Sequence, residues 1–256
     1  MIAVEKPSTV IEVNTPKMLQ SQPQLLALNF KKNTLPTYRL NHDSNIVDLP
    51  RATVLPKYTL KIIIDTSYTF AAKGFEYKRL SYPKIKDSDL REGKEHLSEM
   101  FEPYMAEAEN IREKFVAAYP VLIFNPGETI AFVSRTNDID DLYLIQEALD
   151  TDGRWKPLEF RYGGSSSSIL SNYHNRLLPK HYFATAIIKY HGSFKTKIRV
   201  KMKSGNRIYY SNVIEGHINR SQFDQSFIFD YLRDQRVNEE QDFENIKQAM
   251  FLNFKH

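Results

Sequence analysis

The sequence predicts an α+β protein whose body is an antiparallel β-sandwich, and three observations carry that prediction. From Pro120 to about Ile218 the apolar residues alternate with a period of two, in short runs separated by turn-forming residues. Tyr and Phe are abundant, 15 and 16 residues against only 9 Gly, which suits pleated, half-buried surfaces. One long segment before Pro120, and one at the C-terminus, carry a helical spacing instead.

Residues 1–56 read as an extended arm. Pro7, Pro16, Pro23, Pro36, Pro50 and Pro56 punctuate it, and proline interrupts both helix and central strand. Short apolar runs, TVIEV and LLALNF, lie between the prolines and suit a segment that rests on its own body or on a neighbouring subunit. Residues 57–119 form a strand-plus-helix layer. Tyr58 to Phe70 is rich in β-branched and aromatic residues and reads as a strand. Asp87 to Tyr119 reads as a helix with acidic residues in its first turn, where they complement the helix dipole. Leu97, Met100, Phe101, Tyr104, Met105, Ala108, Ile111 and Phe115 make an apolar stripe that should face the core, and Pro103 should kink it.

Residues 120–222 form the sandwich, with strand-like runs VLIFN, GETIAFVSRT, DLYLIQEALD, RWKPLEFRY, HYFATAIIKY, SFKTKIRVKMK and RIYYSNVIEGHI. NPG, DTDG and SGN supply turns between several of them. GGSSSS, at 163–168, is a loop. Residues 223–256 form a helical tail in which Phe243, Ile246, Lys247, Met250 and Phe254 share one face.

The chain has no cysteine, which excludes disulfides, thiolate zinc sites, iron–sulfur clusters and cysteine nucleophiles. The net charge of +4 is too mild to point to a partner. The N-terminus lacks a basic start followed by an apolar run, and no apolar stretch approaches the ~20 residues that span a bilayer. A soluble chain is expected, cytoplasmic or within a virion, with no membrane insertion.

The most distinctive motif is a cation row: Lys195, Lys197, Arg199, Lys201 and Lys203 at every second position. In a strand these side chains share a face about 6.8 Å apart. The leading expectation is the solvated face of an outer strand, where lysine also discourages edge pairing. An acidic protein partner is the second reading and a nucleic-acid backbone the least favoured. A three-residue turn, Gly205 to Arg207, would set Lys197 opposite Glu215, and only one of Tyr209 and Tyr210 can share the cations' face. Trp155, the single tryptophan, follows a tight turn and is either a core plug or a contact aromatic.

The sequence carries no recognisable enzymatic constellation. The seven histidines form no HxH, HxxxH or HExxH spacing. GGSSSS lacks the G-x-S-x-G elbow, and there is no P-loop or dinucleotide fingerprint. DTDG, 150–153, places its glycine too early for an EF-hand and reads as a hairpin turn, while the acidic run NDIDD, 137–141, is a minor cation candidate. Glu147 and Glu159 are a carboxylate pair only if the fold happens to face them. No cofactor and no metal is expected.

The succession DTDGRWKPLEF, KYHGSFKTKIRVKM and RIYYSNVIEG resembles immunoglobulin and fibronectin-type-III-like modules of phage structural proteins and bacterial surface proteins. It covers about residues 120–222, without the disulfide of antibody domains. The resemblance implies a display or assembly module and no catalytic residues. The expected function is a non-enzymatic structural protein making contacts with protein subunits. A carbohydrate-binding surface module and an uncatalogued enzyme are the alternatives.

Overall fold

The computed structural model describes residues 9–21, 23, 25–31, 46–48, 57–73, 75, 80, 83, 85–135, 141–161, 173–226 and 240–253. These are mostly β-strands in several sheets, with few helices. GGSSSS, most of NDIDD, and Phe254 lie outside the described residues.

The first sheet is organised by β7 (Phe115–Phe124), which pairs antiparallel along one edge with β13 (Tyr182–Ile188). Along its other edge lie β5 (Lys61–Ile64) and β6 (Phe70–Lys73), one after the other. Pro120 falls opposite the break between them, and its carbonyl accepts the Asp65 amide at 3.0 Å. A central strand tolerates proline at that gap. The helix expected to reach Tyr119 therefore stops at Arg112, and Phe115–Tyr119 are the first half of β7. FVAAY suits either period, and pairing with β6 and β13 decides it. The strand runs straight through 119–120, where a boundary was expected.

The second sheet is built on β14 (Phe194–Ser204), which bonds β9 (Leu144–Leu149) along one edge. Its other edge bonds β15 (Arg207–Tyr210) and then β16 (Ile214–Ile218), and β10 (Trp155–Pro157) extends the sheet beyond β9. Asp150–Gly153 is the hairpin turn of β9 and β10, closed by Gly153 at φ +76 and an Asp150 N–H bond to the Arg154 carbonyl at 2.9 Å. A third sheet joins β4 (Ile46–Asp48), β12 (Tyr173–Leu177) and β8 (Ala131–Ser134). One hydrophobic core, including Ile123, Phe183, Leu144, Leu158, Val200, Met202 and Ile218, joins these sheets.

The described part of the arm is built into this body. β1 (Val10–Ile11) pairs parallel with β7, β2 (Leu19–Gln20) with β11 (Glu159–Phe160), and β3 (Ala27–Phe30) antiparallel with β13. Val13, Leu19 and Leu25 enter the main core. Met18 is fully buried with Phe160, Met250 and Phe251, so the arm meets the C-terminal helix α3 (Glu240–Met250).

The long helix is two. α1 (Asp87–Glu92) and α2 (Lys94–Arg112) break at Gly93, which sits at φ +96, while Pro103 lies inside α2. Only Ala108 and Ile111 of the apolar stripe are buried; Leu97, Met100, Phe101 and Tyr104 are half-buried, and Met105 is 56 % exposed. The stripe is buried only near the end of the helix that leads into β7, so its full core-facing role is corrected.

Candidate interaction surfaces

The cation row occupies one face of β14, as its period demands, but the face is not uniformly open. Lys195 and Lys197 are exposed, Arg199 and Lys203 are half-buried, and Lys201 is buried. Register sets Lys197 opposite Glu215, by a different route from the expected turn. The turn is two residues, Gly205-Asn206, and a one-residue slip between β15 and β16 shifts the pairing. Ser211 covers the slip: its Oγ accepts the Val200 amide at 2.8 Å. Glu215 nevertheless bonds Lys195, at 2.6 Å, which raises the lysine's pKa and lowers the carboxylate's.

The middle of the row is a packed electrostatic cluster. Arg199 donates to Oε2 of buried Glu147 through Nε at 2.9 Å and Nη2 at 2.7 Å. Its guanidinium lies between two rings, 4.2 Å from the Trp155 centroid and 4.0 Å from that of Tyr210. Trp155 is thus neither a core plug nor an open contact: one of its faces is taken by Arg199. Lys201 lies 3.4 Å from Glu147 Oε1 and donates to the Phe251 carbonyl at 2.9 Å and to Asn253 Oδ1. The chain that follows α3 therefore covers this end of the row, where Leu252 packs on Tyr143, Ile145 and Ile208. Burial lowers the Lys201 pKa and lowers that of Lys203 to about 8. The expected open cation face is corrected to a short exposed segment, Lys195 and Lys197, beside a buried structural one.

The turn at 150–153 is likewise held by ion pairs. Asp150 bonds Lys156 at 2.5 Å, and Asp152 bonds Arg154 at 2.7 Å. The Arg154 amide and guanidinium hold Asp152 down to about 2. Asp141, the described end of NDIDD, accepts from Arg161 at 3.1 Å. Among the described residues no group of three His, Asp or Glu is placed to hold a metal ion. No helix of the described residues is long and apolar enough to cross a membrane.

A cleft of about 230 Å³ opens between the two large sheets. Exposed Glu12, His191, Glu215 and His217 stand at its mouth, and buried Ile188, Gln146 and Tyr190 at its floor. The polar groups of the floor converge on Glu159. Its carboxylate accepts from Gln146 N and Nε2 at 3.0 and 2.7 Å and from the Tyr190 hydroxyl at 2.8 Å. Burial raises the pKa of both Glu159 and Tyr190. Glu147 and Glu159 are thus bound to different partners and do not form a facing acid pair.

The described residues also present two apolar surfaces, neither of which the sequence assigned to contact. The first is the outer side of α1 and α2, where Leu90 is 58 % exposed and Met105 stands between the carboxylates of Glu102 and Glu109, three and four residues away. The helices pack chiefly on each other. The second is the outer face of the first sheet at the Phe124 end of β7. Register puts Lys61, Phe124, Tyr182 and Phe30 in one row across four strands, and Ile63, Leu122 and Ala184 in the next. Phe124 stacks on Tyr182 at 4.4 Å, and Tyr182 on Phe30 at 5.6 Å. The opposite face of these strands, with Ile62, Ile64, Ile123 and Phe183, is buried. The available signal was the want of alternation, since III at 62–64 and PVLIF at 120–124 are apolar on both faces.

No family model, no curated protein and no solved structure matches the chain.

Proposed function

We propose that this chain is a non-enzymatic structural or assembly protein, a subunit of a multi-protein machine such as a bacteriophage virion, with a β body that displays helices to neighbouring subunits. The observation that carries the reading is the α1–α2 pair. Exposed Leu90 of α1 and exposed Met105 of α2, the latter on a stripe that is buried only at Ala108 and Ile111, stand beside an acidic surface and are suited to contact with protein. The arm supports the reading less than expected, because its described residues are occupied by the chain's own sheets. Two antiparallel arrangements sharing one core, β7–β13 and β9–β14–β16, support an immunoglobulin-like display module within it.

The test is fractionation of cells or lysates that produce the chain at native level. The wild-type chain should travel in a particle many times its own mass, and L90D/M105D should release it. Equal incorporation of both chains would refute a contact role for the helices. A second reading, an enzyme or small-ligand protein, is favoured only by the cleft, which gathers two imidazoles and two carboxylates at its mouth. Metabolite-induced rises in melting temperature that vanish in H191A/H217A would establish it over the first.

A further inference from the structure

We infer that the α1–α2 helices dock on the outer aromatic face of the first sheet of a second copy of this chain. The inference rests on the assembly reading above and names the partner.

The two surfaces match in shape and charge. The face offers two cross-strand rows of half-exposed apolar side chains, bordered by exposed Lys31, Lys61 and Lys180. Lys180 pairs with Glu128 at 2.6 Å, and both remain largely exposed. A sheet with one face buried ordinarily carries polar residues on the other, so these two rows, with Phe30, Tyr182 and Phe124 in one and Leu122 and Ile63 in the next, mark a contact surface. Four strands spaced ~4.8 Å apart give a width that admits a helix of ~10 Å diameter. The helices supply the complement. Between Asp87 and Glu113 there are nine Asp and Glu against three Lys and Arg, which leaves 32 Lys and Arg against 22 Asp and Glu in the rest of the chain. An acidic helical pair and a basic remainder attract between molecules as well as within one.

The two surfaces also lie at opposite ends of one element. The helices enter the body just before Phe115, and the aromatic face surrounds Phe124, about 30 Å along β7. Helices of one molecule on the face of the next make a heterologous contact, which continues into a ring or filament.

The experiment uses the full chain and two variants at exposed positions, L90D/M105D on the helices and K61E/I63D on the face. Circular dichroism and melting temperature check that both fold as the wild type does. Sedimentation velocity up to about 100 µM covers weak, micromolar contacts. The wild type should self-associate, less so in high salt, and each variant should raise the dissociation constant at least about tenfold. A mixture of the two variants should form a one-to-one dimer and nothing larger, because it contains one intact helical pair and one intact face. A monomeric wild type, variants that associate as tightly as wild type, or a mixture that stays monomeric overturns the inference. If the wild type is monomeric while L90D/M105D still loses its place in the native particle, the second copy is the wrong partner and the assembly reading stands. If incorporation is also unaffected, both fall.

Discussion

Replacing Glu147 by Gln isolates the electrostatic cluster that the cation row became. The substitution keeps the shape of a buried side chain and removes the anion shared by Arg199, at 2.7 and 2.9 Å, and Lys201, at 3.4 Å. Breaking a buried ion pair from one side leaves an uncompensated charge and costs about 3–5 kcal/mol. The Arg199 side chain is 19 % exposed and its rings partly shield it, which places the loss near the lower end, at about 3 kcal/mol. In urea, with a slope of about 3 kcal/mol per molar, the midpoint should fall by roughly 1 M. Far-UV circular dichroism follows global unfolding, and fluorescence of Trp155, the single tryptophan, reports the stack itself. Adding K201M to E147Q should restore part of the loss, with a coupling of at least about 1 kcal/mol between the two sites. A loss below about 1 kcal/mol in E147Q, or strict additivity with K201M, would refute the cluster as a coupled unit.

Two further outcomes follow from the packing and the titrating groups. Met18→Ala should cost about 3 kcal/mol by urea titration, because Met18 is fully buried where the arm, β11 and the chain after α3 meet, and residues 240–253 should then lose hydrogen-exchange protection first. Stability should rise between about pH 8 and 10: Lys203 sheds its proton near 8 when folded and near 10.5 when unfolded, so the unfolded chain binds more protons across that window. Above about 10 the trend should reverse, since burial holds Tyr58 and Tyr190 protonated in the folded state while the unfolded tyrosines ionise. Melting temperatures across pH 7–11 check both limbs, and K203M should flatten the first.

Local pattern was readable where one face of an element is dry. The alternation of β14 and the DTDG turn follow from period and turn chemistry, whereas the one strand expected over Tyr58–Phe70 is strand at Lys61–Ile64 and again from Phe70, with a break between. What covers a face was not readable. Trp155 and Phe251, which shield the middle of the cation row, lie 44 and 50 residues from Arg199 and Lys201 along the chain, and no periodicity links them. The helix break shows the same limit in local form. Pro103 was the stronger-looking breaker, yet α2 accommodates it, while Gly93 adopts a left-handed φ that ends α1. In the described part of the arm, pairing of β1, β2 and β3 with β7, β11 and β13 makes them part of the body, and proline spacing holds no information on those partners. The exposed apolar surfaces were the least legible, because an apolar stripe reads the same whether the core or a neighbour covers it.

The central claim is that this chain works as a subunit held by its helices and β body. Its most direct test is the mass of the native species, by size-exclusion chromatography with light scattering on cell or particle extracts at native expression. The account predicts elution in a discrete assembly of many subunits, lost in L90D/M105D. Elution of the wild-type chain only as a 29.9 kDa monomer would contradict it.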